Sequence, residues 1–209
     1  MQAPTLRDIY EAKKTIAPYL DRTPLQYSAG LSQAMDAEIY LKRDDYLPLG
    51  AFKARGGINL LAHLSQADRD RGVITASTGN HGQSIAYACR IFGCRALVAM
   101  PEQANPLKVA AMRALGAEII FHGQNFDEAK SHCERLAAEE GYRYAHPANE
   151  PLLVAGVATQ TLEVIEDMPE VDTIVVPLGG GSGVAGACIV AKTVDPAIQV
   201  LAVQAEAAP

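Results

Sequence analysis

The chain has no basic run, no apolar stretch of membrane-spanning length and no paired-cysteine motif. Each absence removes a class of function. Its 18 Lys and Arg are outnumbered by 24 Asp and Glu, giving a net charge of −6. Phosphate backbones are held by clustered positive charge, so nucleic acid is excluded as the main partner. A bilayer-spanning helix needs about 20 consecutive apolar residues. None occurs, and no membrane partner is expected. The opening MQAPTLRDIYEAKK lacks the apolar core of a secretory signal. The four cysteines, Cys89, Cys94, Cys133 and Cys188, form no CxxC pair. In apolar, mostly helical surroundings they read as reduced thiols, and the expected compartment is cytoplasmic. Their spacing against the histidines matches no zinc pattern, so no metal site is expected. Low-complexity segments and internal repeats are missing too.

What is present is alternation. Over 209 residues, 49% of them apolar, apolar strand-like runs take turns with helical patterns. TLRDIYEAKKTIAPYL reads as an amphipathic helix capped by Thr5, with Asp8 three residues on. A short strand lies in AEIYLKRDD. GVITAS is a strand, and TGNHGQSIAYACRIFG a helix closed by Gly93. CRALVAM is the next strand, and NPLKVAAMRALG a helix with Asn105 at the cap and Pro106 at its first position. AEIIFHG, YRYAH, DTIVVPLGGG and IQVLAVQAE supply further strands. NFDEAKSHCERLAAEEG, PLLVAGVATQTLEVIEDM and SGVAGACIVAKTV supply further helices. Strands that are apolar throughout and separated by helices imply parallel sheets buried on both faces, so the fold class is α/β, doubly wound. Ligands in such folds sit beyond the carboxyl ends of strands.

Two strand ends carry suitable loops. Ser77, Thr78, Gly79, Asn80 and His81 lie between a strand and a helix start, where backbone N–H groups favour an anion such as a carboxylate. The same residues also suit an ordinary capped turn. Gly179, Gly180, Gly181, Ser182 and Gly183 follow an apolar strand and open a helix. That is the pattern of a phosphate-binding nest or, more plainly, of a flexible turn. No lysine follows these glycines, so the loop is not a Walker A motif. In YLPLGAFKARGG, Lys53 follows Phe52 between glycine-containing turns. It reads either as a surface charge or as a nucleophile whose amine is freed by loss of hydration. A lysine, a phosphate loop and a carboxylate loop together suggest pyridoxal 5′-phosphate and a small amino-acid substrate. Asp44 to Tyr46 beside the lysine motif could position that loop but reads rather as a solvated turn, and His63, His122, His132 and His146 as surface or satisfied polar residues.

RTPLQYS, LKRDDYLPLGAFKARGG, STGNHGQSIAYA and GVATQTLEVIE, in this order, resemble motifs of the tryptophan-synthase-like, fold type II pyridoxal-phosphate enzymes. The resemblance spans essentially the whole chain and is nearest to the serine/threonine dehydratase and serine racemase branch. It implies that Lys53 carries the cofactor and moves protons at the substrate α-carbon. Phe52 would pack beside the cofactor and Asn80 reach it, while Gly179 to Gly183 would hold its phosphate. Ser77 to His81 would surround the substrate carboxylate. It further implies a larger domain, 1–71 with 147–209, and an inserted smaller domain, 72–146. The implied activity is dehydration of L-threonine or L-serine to a 2-keto acid and ammonia, with a link to isoleucine synthesis or threonine catabolism.

Serine racemisation, or a non-catalytic cofactor-binding or scaffold fragment, is the alternative. Racemases of the branch carry a serine where this chain has Thr78. A second departure is Ser182, at a position where the family often has a fourth glycine. A third is length. The family continues beyond the point matched by Pro209, so the larger domain is expected to be incomplete. Glu206 matches one ligand of a metal site found in some relatives but reads as a solvated residue. The apolar last strand would then lie at an uncovered edge, and self-association, most simply as a homodimer, is expected.

Overall fold

The computed structural model describes residues 2–206. The chain opens with α1 (Leu6–Ile16), entered through a reciprocal capping box between Thr5 and Asp8. A short antiparallel ribbon follows, β1 (Leu25–Tyr27) against β2 (Tyr40–Lys42), with α2 (Ala29–Met35) between them. The sequence pattern had marked β2 alone. Three residues behind Pro24 are too few to show a period of two.

After a 3-10 turn, Asp44–Tyr46, the chain enters α3 (Lys53–Ala62) and α4 (Gln66–Arg71). Two interior glycines argue against a helix at α3 on propensity, and tertiary packing overrides them. A Cβ on Gly57 would stand 2.6 Å from the Ser84 carbonyl oxygen, and one on Gly156 would stand 2.5 Å from that of Arg55. Only glycine allows these helices to approach so closely.

Next come β3 (Val73–Ala76), α5 (Asn80–Phe92), β4 (Ala96–Met100), α6 (Pro106–Ala114), β5 (Glu118–Phe121), α7 (Phe126–Glu140) and β6 (Arg143–Tyr144). The four strands form one parallel sheet in the order β5-β4-β3-β6. Alternate residues point to opposite faces. Val73, Ala96, Val98 and Met100 meet Ile85, Val109 and Met112 of α5 and α6 on one side. Ile74, Ala76, Leu97 and Ala99 meet Cys133 of α7 on the other. Both faces are therefore covered, which is why these strands are apolar throughout.

The chain closes with α8 (Pro151–Asp167), β7 (Thr173–Pro177), α9 (Ser182–Val194) and β8 (Gln199–Val203). β7 and β8 pair in parallel. A further core joins Ile9 and Ala12 of α1 with Ala155, Ala158 and Leu162 of α8 and Val190 and Ala191 of α9. One face of the β7–β8 ribbon rests on α9, whereas Val175, Leu201 and Val203 on the other face are 63, 48 and 55% exposed. Among the described residues, no helix is long and apolar enough to cross a membrane.

The turn at Asp44 differs from its sequence reading. Asp44 is 5% exposed, not solvated. It belongs to a buried ionic cluster with Arg55, Glu163 and Lys42. Arg55 donates to both carboxylates, to Glu163 at 2.7 and 2.9 Å, and also to Thr159 and Thr23. Lys42 meets Glu163 at 2.6 Å and the Thr23 carbonyl oxygen at 2.6 Å. Two cations balance two anions, so the cluster is neutral and its donors are used. Burial works to raise the Glu163 carboxyl, but the hydrogen bonds and charges of Arg55 and Lys42 outweigh it and leave it below the usual range.

Candidate active site

Lys53 is the first residue of α3. Its Nζ lies against the Ser182 hydroxyl at the head of α9. Burial favours the uncharged amine and pulls its pKa down to about 8. The positive end of a helix is also a poor place for an ammonium. Ser84 of α5 donates to the Lys53 carbonyl oxygen, fastening the start of α3 to the helix that carries the Ser77–His81 loop. Behind Lys53, the cluster around Arg55 ties α3 to α8 and to the Asp44 turn. The lysine is thus held from three sides by elements distant in sequence.

The glycine loop joins β7 to α9. Gly181 has φ +88°, a left-handed conformation that a side chain rarely tolerates, and it turns the backbone into the helix. The N–H groups of Gly179, Gly180, Gly181, Ser182 and Gly183 have no acceptor among the described residues. A Cβ on Gly179 would meet nothing within 4 Å, and one on Gly180 only the Pro147 carbonyl oxygen at 4.0 Å. These glycines therefore border open space, not protein. The result is a set of free donors at a helix N-terminus, an arrangement whose chemistry suits a phosphate. Phe52 backs the loop, its ring tip lying 3.3 Å from where a Gly183 Cβ would be.

The second loop is organised by Ser77. Its hydroxyl oxygen accepts from the N–H of Gly79 at 3.2 Å and of Gly82 at 2.9 Å. The N–H groups of Thr78, Asn80 and His81 have no acceptor among the described residues, and Thr78 and Asn80 are exposed. Ser77 thus shapes the turn, and three backbone donors remain for an anion. The His81 ring lies beneath the loop, 6% exposed. The Thr75 hydroxyl donates to the Ala145 carbonyl oxygen at 2.7 Å, so it accepts from His81 Nε2 at 2.9 Å. Nε2 therefore carries the proton, and Nδ1 has no partner among the described residues. Burial, then the nearby Lys53 charge, drives the imidazole pKa down to about 3, which keeps the ring neutral. Lys108 on α6, a residue the sequence pattern gave no reason to single out, reaches Asn80 Oδ1 at 3.1 Å.

Lys53 and the glycine loop thus meet directly, and the Ser77 loop is coupled to Lys53 through Ser84 and His81. A desolvated amine beside a phosphate nest, with a carboxylate-sized set of donors nearby, fits a phosphorylated aldehyde cofactor and an amino acid.

Comparison with known proteins agrees with that chemistry. The family described as "Pyridoxal-phosphate dependent enzyme" matches residues 16–209. The chain is 43% identical over 205 residues to an L-threonine ammonia-lyase of Thermotoga maritima, covering 98% of this chain and 51% of that protein. It therefore spans about half the length of that relative. Among solved structures, maize serine racemase superposes with a TM-score of 0.91 at 33% identity, covering 96% of this chain and 61% of that one. Threonine deaminase isoform 2 from Solanum lycopersicum superposes with a TM-score of 0.86 at 30% identity, covering 98% and 61%.

Proposed function

Because the chain belongs to the pyridoxal-phosphate dependent enzyme family, we propose that it dehydrates and deaminates L-threonine or L-serine to a 2-keto acid and ammonia. The observation that carries this reading is Lys53, an amine with a pKa of about 8 set against the head of the glycine loop. The ammonia-lyase and deaminase names of its relatives support the substrate class. When bound, the cofactor supplies an electron sink for the charge left at the substrate α-carbon.

The chain's own residues divide the remaining work. Lys53 Nζ would hold the cofactor and would serve as the base for the substrate α-proton. Burial leaves it unprotonated often enough near neutral pH to act as a base. The N–H groups of Gly179 to Gly183 and the Ser182 hydroxyl bind the phosphate, with Phe52 supporting them from behind. The N–H groups of Thr78, Asn80 and His81 bind the substrate carboxylate at the start of α5. Ser77 and Gly79 hold that turn in shape, and the Asn80 amide would contact the cofactor. In this reading, 1–71 with 147–209 form the larger, cofactor-binding domain, and 72–146 the smaller, substrate-side one.

A keto-acid assay with L-threonine and L-serine, run on the cofactor-loaded chain, tests the reaction. Racemisation is the second reading. It is supported by the exposed Thr78 hydroxyl, available as a proton carrier at the carboxylate loop, and by the likeness to maize serine racemase. Chiral analysis of recovered serine separates the two, since dehydration alone produces no D-serine. Self-association belongs to the same proposal, through the exposed Val175, Leu201 and Val203. Light scattering at rising concentration is expected to show a dimer, and a monomer throughout would remove that part.

A further inference from the structure

Two of the cysteines are brought together by a helix end. α5 finishes in Cys89-Arg90-Ile91-Phe92-Gly93-Cys94, with Gly93 left-handed at φ +67°. The N–H of Cys94 donates to the Cys89 carbonyl oxygen at 2.9 Å. This closure across the glycine packs the residue after it onto the residue near the start of the last turn. Here both of those residues are cysteines. A spacing that matches no metal or redox motif therefore brings two cysteine side chains to one spot, where both join the same core cluster and line the same cavity.

The surroundings treat the two sulfurs differently. Cys89 is 1% exposed, and Cys94 is half-buried. Arg69, from α4, packs its guanidinium over the Phe92 ring, 5.1 Å from the centroid, and spends one Nη2 hydrogen on the Ala62 carbonyl oxygen at 3.0 Å. Its Nε is buried and has no partner among the described residues. The Arg69 charge acts on Cys94. The adjoining Cys89 thiol, and then this charge, hold the Cys94 thiol below its ordinary range. The Cys94 thiol, with burial, pushes Cys89 up. A cavity of about 260 Å³, lined by Cys89, Cys94, Arg90 and Leu115 among others, opens beside the pair and gives a small reagent access.

We propose that Cys94 is a thiol-oxidation site for hydroperoxides and that Cys89 closes the oxidised product into a disulfide within the chain. The Cys94 thiolate attacks the peroxide. A sulfur–oxygen bond forms as the oxygen–oxygen bond breaks, and the departing hydroxide, or alkoxide from an organic hydroperoxide, takes up a proton. The sulfur gives up two electrons to the peroxide and becomes a sulfenic acid. The Cys89 thiol then loses its proton and attacks that sulfur. The sulfur–sulfur bond forms, the sulfur–oxygen bond breaks, and water leaves. The nearby Arg69 charge favours the thiolate before the first step. So short a loop adds little chain-entropy stabilisation, so the event is read by chemistry, not by melting temperature.

The test is made on the whole chain. Iodoacetamide alkylation of the wild type, followed by peptide mass spectrometry, is expected to modify Cys94 at least about tenfold faster than the half-buried Cys188. This measurement needs no variant. Hydrogen peroxide should then yield a peptide cross-linked between Cys89 and Cys94, in a monomeric chain on a non-reducing gel, reversible by dithiothreitol. In Cys89→Ser the reaction should stop at a sulfenic acid on Cys94 that dimedone captures. Equal alkylation of Cys94 and Cys188 would overturn the proposal. So would a disulfide to Cys133 or Cys188, or one between chains.

Discussion

Arg55 grips Asp44 with two parallel hydrogen bonds, Nε to Oδ2 at 2.8 Å and Nη2 to Oδ1 at 2.9 Å. Arg55 stands two residues beyond Lys53, and Asp44 lies in the turn that leads toward it, so the pair fixes the approach to the lysine from below. Removing one partner leaves the other charged and buried, which costs about 3–5 kcal/mol. Asp44→Asn and Arg55→Met are each expected to lower the unfolding free energy by that amount, read from urea denaturation. Arg55→Lys is expected to restore little, since an ammonium lacks the planar fork. A change of a few tenths of a kcal/mol in either single variant would show that the cluster does not hold this region.

Lys53 should react at a lower pH than its neighbours. Its amine is expected to be half-reactive near pH 8, against about 10.4 for exposed lysines. The sign follows from burial, which disfavours the ammonium. Between those two values the folded chain binds fewer protons at this site than the unfolded chain, so the Lys53 contribution to stability rises with pH across that window. Reductive methylation over a pH series, read by peptide mass spectrometry, measures the midpoint. A midpoint near 10 would mean a solvated lysine.

Two glycines should behave oppositely. A Cβ on Gly57 collides with the Ser84 hydroxyl and stands 2.6 Å from its carbonyl oxygen. Gly57→Ala is therefore expected to destabilise the fold by about 1–3 kcal/mol. A side chain on Gly180 meets only open space beyond Pro147. Gly180→Val is expected to fold normally and to lose cofactor affinity, because the added atoms fill the nest. Paired denaturation and cofactor titration check both.

Acid should weaken the fold through His81 and Glu163. The His81 pKa falls from 6.5 to about 3 on folding. Stability is therefore expected to decline as pH drops through that interval, where the unfolded chain takes up a proton that the folded one refuses. Glu163 adds to the loss below its ordinary pKa of 4.5, because burial is outweighed by Arg55 and Lys42 and its folded pKa is also depressed. His81→Asn should flatten the decline between pH 6.5 and the onset of carboxylate titration. An unchanged slope in that variant would assign the effect to other groups.

Much of this was readable before any coordinates. The capping box at Thr5, the Asn105 cap and the Ser182 helix start are local chemistry, and local chemistry is written in adjacent residues. The two loops were legible for the same reason. The ionic cluster was not, because Arg55 and Glu163 are 108 positions apart and only the fold chooses such partners. Helix α3 was hidden by Gly56 and Gly57, whose poor propensity is outweighed by close contact with α5 and α8. The role of the His81 ring depends on Thr75 and Ala145, which reach it from two other elements. The Cys89–Cys94 juxtaposition lies between these cases. Its glycine was recognised as a helix stop, but the consequence for the flanking thiols appears only when the cap is followed in three dimensions.

The most direct measurement of the central claim is borohydride reduction of the chain after incubation with pyridoxal 5′-phosphate, followed by peptide mapping. The expected result is one reduced, cofactor-bearing peptide containing Lys53, together with loss of that label in Lys53→Ala while the variant keeps its fold by circular dichroism. A label on a different lysine, or a label undiminished in Lys53→Ala, would contradict the assignment of this site.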